Sequence, residues 1–173
     1  SVQISGVLSG DTLLGMDFRP RDGQLYAIAR TTPGNGGRLY TINTTTGVAT
    51  AGAALIPATT PTINGAFTTL DPAATSFAVD FNPVPDALRV ISDTGQNLRI
   101  FVAAATGRIA GETFVDGTTN TSAPTADISG AAYTNSFDGT TSTRLLNIDT
   151  AGDNLTFQNP PNDGTQVVAA PLG

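Results

Sequence analysis

The 173-residue chain contains no cysteine, histidine, tryptophan or lysine, and only one methionine and one glutamate. Each absence removes a class of chemistry. Without cysteine there is no disulfide, thiol nucleophile or thiolate metal site. Without histidine there is no imidazole base, no Ser-His-Asp triad and no ordinary zinc site. Without lysine there is no Schiff base and no P-loop lysine, and all eight basic residues are arginine. Charge is scarce too: 13% of residues are charged, against about 25% in an average globular chain. The balance is acidic, with a formal net charge of −6, so nucleic-acid backbones and anionic lipid surfaces are repelled. No apolar run reaches the roughly 18 residues of a spanning helix.

What is abundant is threonine, with 28 residues, alongside 19 glycines and many Ala, Asn and Asp. This composition points to a secreted or cell-surface protein of a bacterium or archaeon. Ser1 is expected to lie near a processed N-terminus from which a signal peptide has been removed. The length suits a single domain over residues 1–173, large enough to fold without a metal or disulfide.

Hydrophobic periodicity is two almost throughout, turn signals recur every 8–12 residues, and no helical period outlasts one turn. The class is all-β. The chain also repeats itself. A first unit, about 11–52, reads Leu14-Gly15-Met16-Asp17-Phe18-Arg19-Pro20, then Gln24 to Ile28, then Arg38 to Asn43, then Val48 to Thr50. A second, about 75–112, repeats the order with Phe77-Ala78-Val79-Asp80-Phe81-Asn82-Pro83, Ala87 to Ile91, Asn97 to Phe101 and Arg108 to Ala110. A third and looser unit, about 127–170, carries Ser129 to Asn135, Thr143 to Ile148, Asn154 to Gln158 and Gln166 to Ala169. Each unit is expected to be four antiparallel strands. Alternation places Leu14, Met16 and Phe18 on one face of the first strand and Gly15 on the other, as it does Phe77, Val79 and Phe81 against Ala78. A small residue at Gly15, Ala78 or Gly130 permits close approach of neighbouring backbones, as the innermost strand of a propeller blade requires.

Closed propellers have about 4–8 blades, so three units leave bare edges that invite pairing with other chains. The expected architecture is propeller-like, either open or closed by strand exchange. The uncharged segment 1–7 is expected to act as a clasp on the last unit or as a donor strand to a neighbouring copy. Segments 51–74 and 111–126 are read as long loops and candidate contact surfaces.

The repeat core resembles the family of exported bacterial proteins known as domain of unknown function 4394. The residues that carry the likeness are Gly10 to Pro20, Gly37 to Ile42, Val79 to Pro83, Leu88 to Arg99, Ala131 to Phe137 and Gln158 to Thr165. The resemblance implies a secreted, propeller-like β repeat and no known catalytic residues. Members tend to run on into further repeat sequence beyond the point where this chain stops.

Acid–base chemistry could fall only to carboxylates. Asp17 and Asp80 are repeat-equivalent, and the third unit has Ala132 in their place. A glycosidase would need two carboxylates about 5–9.5 Å apart in a sugar-sized cleft. The stronger expectation is that they hold backbone N–H groups of a turn or pair with an arginine such as Arg19, Arg89 or Arg99. Asn147, Asp149, Asp153 and Asn154 cluster at a turn and could offer oxygens to calcium near Asp149 and Asp153, but they match no calcium-loop spacing. Asp93-Thr94-Gly95 is the aspartic-protease triplet without a second copy, and reads as a turn. Asn43-Thr44-Thr45, Asn120-Thr121-Ser122 and Asn154-Leu155-Thr156 match the glycosylation sequon. Tyr26, Tyr40 and Tyr133 make a poor sugar-stacking platform, and Asn159 to Gly164 reads as a rigid, solvent-facing turn. No catalytic, cofactor-binding or metal-ligating residue is assigned. The expected function is a non-enzymatic extracellular structural protein that assembles with its own copies through exposed strands into a surface assembly or filament. The alternative is a secreted monomeric module presenting its long loops to a glycan or surface protein.

Overall fold

A computed structural model covers the chain and describes residues 1–104, 107–119 and 126–173. The described residues form thirteen strands and no helix. They are β1 (Asp11–Phe18), β2 (Leu25–Thr31), β3 (Gly37–Ile42), β4 (Ala49–Ala54), β5 (Ile56–Pro57), β6 (Phe77–Asn82), β7 (Ala87–Ser92), β8 (Asn97–Ile100), β9 (Glu112–Val115), β10 (Ile128–Tyr133), β11 (Leu145–Asp149), β12 (Asn154–Gln158) and β13 (Gln166–Pro171).

Three sheets result. The first has the order β1-β2-β3-β4 and the third β10-β11-β12-β13, both four-stranded and antiparallel. The middle sheet has five strands in the order β5-β9-β8-β7-β6 rather than the expected four. The extra strand comes from segment 51–74: Ile56-Pro57 pairs parallel with Glu112-Thr113. Its fourth strand is β9, not Arg108 to Ala110. Gly111, at φ +86°, turns the chain so that Glu112 O accepts from Phe101 N–H, and Ile109 stays exposed.

The sheets stack face to face, with the first strand of each packed on the first strand of the next, β1 on β6 and β6 on β10. Strands β1 and β10 lie at the two ends of this row and do not pack on each other, so the described residues form an open row of three blades and no closed propeller. The first joint is apolar. Tyr26, Ile28 and Leu39 from the first sheet meet Phe81, Leu88, Val90, Leu98 and Ile100 from the middle one. Burial of such side chains contributes roughly 1.5–3 kcal/mol each, which makes this cluster the main source of cohesion. The second joint has a smaller apolar patch of Ala78, Ile91, Ile128, Tyr133 and Leu145, and the rest of it is polar.

Alternation alone misplaces one residue. A β-bulge between Leu13 and Gly15 shifts the register. Leu14 therefore packs into the core between the first two sheets, while Met16 and Phe18 point to the opposite face and remain exposed. A second bulge lies between Ile128 and Gly130, at the equivalent place in the third sheet.

Segment 51–74 is no free loop. Phe67 and Leu70 are buried in the main core, and Asn64 N–H donates to Val115 O. Around Ala66 to Thr68 there is a single bridge, Ala66 to Phe114, where the sequence suggested a short strand. Of segment 111–126, residues 120–125 lie outside the described residues, and the part that precedes them is tied down by β9 and Asp116. Segment 1–7 holds no strand of any sheet. One parallel bridge, Ser5 to Val48, sets it at the edge of β4, after which Leu8 N–H donates to Tyr40 Oη and the chain enters β1. It therefore lies on its own first sheet and not on the last unit.

Candidate functional site

The innermost strands bring together the two repeat-equivalent carboxylates. Asp17 leaves β1 on the face turned to the middle sheet, and its Oδ2 accepts Phe81 N–H at 2.8 Å. Asp80 leaves β6 on the face turned to the third sheet, and its Oδ2 accepts Tyr133 N–H at 2.6 Å. Both N–H groups belong to first strands, which have no ladder partner on that side. Each aspartate thus satisfies a backbone donor of the next sheet, where an unpaired buried N–H would cost about 1–3 kcal/mol. The expectation of a backbone role was right in kind, but the bonds reach a neighbouring sheet and not a turn.

The two carboxyls also meet. Burial raises the Asp80 pKa; the Tyr133 N–H opposes this, while the charge and hydrogen bond of Asp17 add to it, and the result is about 7. Asp80 therefore carries a proton towards neutral pH, beside the Asp17 carboxyl. The pair sits in a joint. The surface grooves of about 540, 300 and 180 Å3 are lined by other residues. Packing beside the pair is close. A Cβ placed on Gly15 would lie 2.5 Å from Val79 Cγ2 and 3.1 Å from Val79 Cβ.

None of the three candidate arginines pairs with these aspartates. Arg19 forks onto both oxygens of Asp86 and also reaches Asp22 at 2.7 Å. Arg89 is 1% exposed and lies within the second joint, 2.7 Å from Asp116, with further bonds to Asn97, Asn162 and Tyr133 Oη. Arg99 completes the cluster from the other side of Asp116 at 3.2 Å and stacks over the Phe114 ring. Burial works against the Arg89 charge, but Tyr133 and Asp116 outweigh it and raise its pKa, so the guanidinium remains charged. Neighbouring it is a buried amide network in which Asn147, Gln158, Gln166 and Thr156 bond to one another. These polar clusters, which sequence patterning did not single out, make the second joint specific.

The remaining candidates resolve into turns and packing. Asp149 Oδ1 accepts N–H groups of Asp127, Ala151 and Gly152, while Asn147 points into the amide network, so the suggested calcium ligands do not converge. Among the described residues no group of three acidic side chains is placed to hold a metal. Asp93 binds Thr75 and Ser76; burial raises its pKa, but these bonds outweigh it and hold the carboxyl below its ordinary range. All three tyrosines are buried. The turn after β12 is largely exposed, as expected, and it also touches the middle sheet, where Asn162 and Pro161 bond Arg89 and Asn97. Asn43 is exposed in an Asx turn, whereas Thr156 of the Asn154 sequon is buried, and Asn120 lies outside the described residues.

No curated protein matches this chain. A family model does, over residues 1–173: the chain belongs to the family described as domain of unknown function, DUF4394.

Proposed function

We propose that the chain is a non-enzymatic extracellular structural protein whose role is to build a larger assembly from stacked β-sheets. The observation that supports this is the open row. Two joints are made inside the chain; the outward face of the first sheet is covered in part by the chain's own Val7 and leaves Met16 and Phe18 open, and that of the third sheet carries Leu146, Ile148, Leu155, Phe157 and Val167. Met16, Phe18 and Val167 on these faces are all at least 41% exposed. The paired aspartates support a structural reading, since their oxygens are spent on backbone N–H groups. Segment 51–74 offers less to a glycan or protein partner than the sequence suggested, because it is anchored in the core.

Sedimentation of the wild-type chain over a hundredfold range of concentration tests the reading. Mass that rises with concentration supports it, and a monomer throughout refutes it. Fractionation of the native host tests location: the protein is expected outside the cytoplasm, and recovery in the cytosol alone would refute that part.

A further inference from the structure

Of the sequons in the chain, the structure makes one chemically available. Asn43-Thr44-Thr45 lies in the turn between β3 and β4, where Asn43, Thr44, Thr45 and Thr46 are all exposed. Asn43 Oδ1 accepts Thr45 N–H at 2.9 Å and Thr46 N–H at 3.0 Å. These bonds pin the side-chain carbonyl against the turn and direct Nδ2, on the other side of the same carbon, away from it. Two donors on Oδ1 also draw electron density from the amide and make its N–H more acidic. Asn154-Leu155-Thr156 is closed by comparison. Asn154 Nδ2 donates to Gly152 O at 2.6 Å, and Thr156 is 1% exposed with its hydroxyl donating to Gln166 Oε1 at 2.6 Å. Freeing that hydroxyl would break the buried amide network. Asn120-Thr121-Ser122 lies outside the described residues.

The surroundings of Asn43 also suit a sugar. It borders the groove of about 540 Å3, whose walls include Gln24, Thr41, Thr44, Thr46 and Thr50. None of the lining residues is charged, and their hydroxyl and amide groups match the donors and acceptors of a neutral sugar. We propose that Asn43 is the acceptor of an N-linked glycan, added to the folded chain, and that its first sugar lies over this threonine-rich groove. This rests on the extracellular part of the reading above, because the transfer takes place outside the cytoplasm. The co-reactant is a sugar or oligosaccharide carried on an isoprenyl diphosphate. Asn43 Nδ2 forms a bond to the anomeric carbon, and the bond from that carbon to the diphosphate oxygen breaks. The lipid diphosphate leaves with the electron pair, and a base of the transferase takes the Nδ2 proton. The product is still an amide, so Oδ1 keeps its two bonds to the turn. The glycan stands between β3 and β4, clear of the first strands through which the sheets stack.

Peptide mass spectrometry of the chain isolated from its native host tests this. Every basic residue is arginine, so trypsin separates the three sequons: residues 39–89 contain Asn43, 109–144 contain Asn120 and 145–173 contain Asn154. Peptide 39–89 should be heavier by whole sugar residues, with the added mass on Asn43, and 145–173 should be unmodified. Asn43→Gln and Thr45→Ala chains expressed in the same host should lose the added mass with unchanged circular dichroism, and Thr45→Ser should keep it. An unmodified 39–89 from chain recovered outside the cytoplasm overturns the proposal alone. Unmodified chain found only in the cytosol overturns the extracellular reading with it. Sugar on 145–173 overturns the selection by folded geometry. Added mass on 39–89 that β-elimination releases puts the sugar on threonine hydroxyls and overturns the asparagine linkage.

Discussion

Replacing Asp80 by asparagine isolates the proton held between the first two sheets and the third. The folded pKa is about 7 against an ordinary 3.8. Because the folded state binds the proton more tightly than the unfolded chain, wild-type stability falls as pH rises from about 4 to 7 and then levels off. At about 1.4 kcal/mol per pK unit the full cost would be about 4 kcal/mol. Asp80 is half-buried, and solvent screening reduces this to about 2 kcal/mol. Asparagine keeps an oxygen for Tyr133 N–H, supplies an N–H to Asp17 and has no charge to desolvate. Asp80→Asn should therefore match wild type near pH 4 and exceed it by about 2 kcal/mol at pH 8, or about 4–8 °C in Tm for a chain of this length. Urea denaturation at pH 4, 6 and 8 and constant ionic strength measures the gap. A variant less stable than wild type at pH 8, or a gap independent of pH, would refute the raised Asp80 pKa.

Arg89→Met leaves Asp116 buried with only Arg99 beside it and should cost about 3–5 kcal/mol in denaturant unfolding; a loss under 1 kcal/mol would contradict a charged cluster inside the second joint. Gly15→Val places a branched side chain against Val79 and should destabilise by about 1–3 kcal/mol, read as a lower Tm. For Glu112, burial raises the pKa, but bonds from Thr59 and the Arg108 charge outweigh it and hold the carboxyl below its ordinary range. Its contribution is thus present above the unfolded pKa and disappears as pH falls, so Glu112→Gln should lose stability relative to wild type at pH 7 and close that gap towards pH 3. A gap equally large at pH 3 would point to lost packing in place of lost charge.

Much of the architecture was legible because a half-buried strand writes its period into the chain. Leu88 to Ile91 and Leu145 to Ile148 announce strands by composition, and the recurrence of Asp17 at Asp80 announces equivalent positions. What the pattern hides is everything that breaks its own rule. The bulge at Leu13 and Gly15 adds a residue and reverses the face of Leu14, and nothing in the local residue types marks it. Segment 51–74 looked like a loop because Ile56-Pro57 is too short to show alternation and Leu70 is an isolated apolar residue; only the tertiary fold reveals that it covers the core. The destination of the Asp17 carboxylate was hidden for a related reason. A side chain that bonds the backbone of another sheet leaves no trace at a fixed sequence spacing. The Arg89 cluster draws on Asn97, Asp116 and Asn162, whose proximity depends on how the second and third sheets stack.

The absence of cysteine makes disulfide trapping the most direct test of the claim that the sheets stack first strand on first strand. Gly15 and Val79 mark the close approach inside the chain. The double variant Gly15→Cys, Val79→Cys under mild oxidation should close a bond within one chain, seen as a faster band on a non-reducing gel. Thiols that stay free in the folded variant, or a cross-link that forms only between chains, would contradict the account.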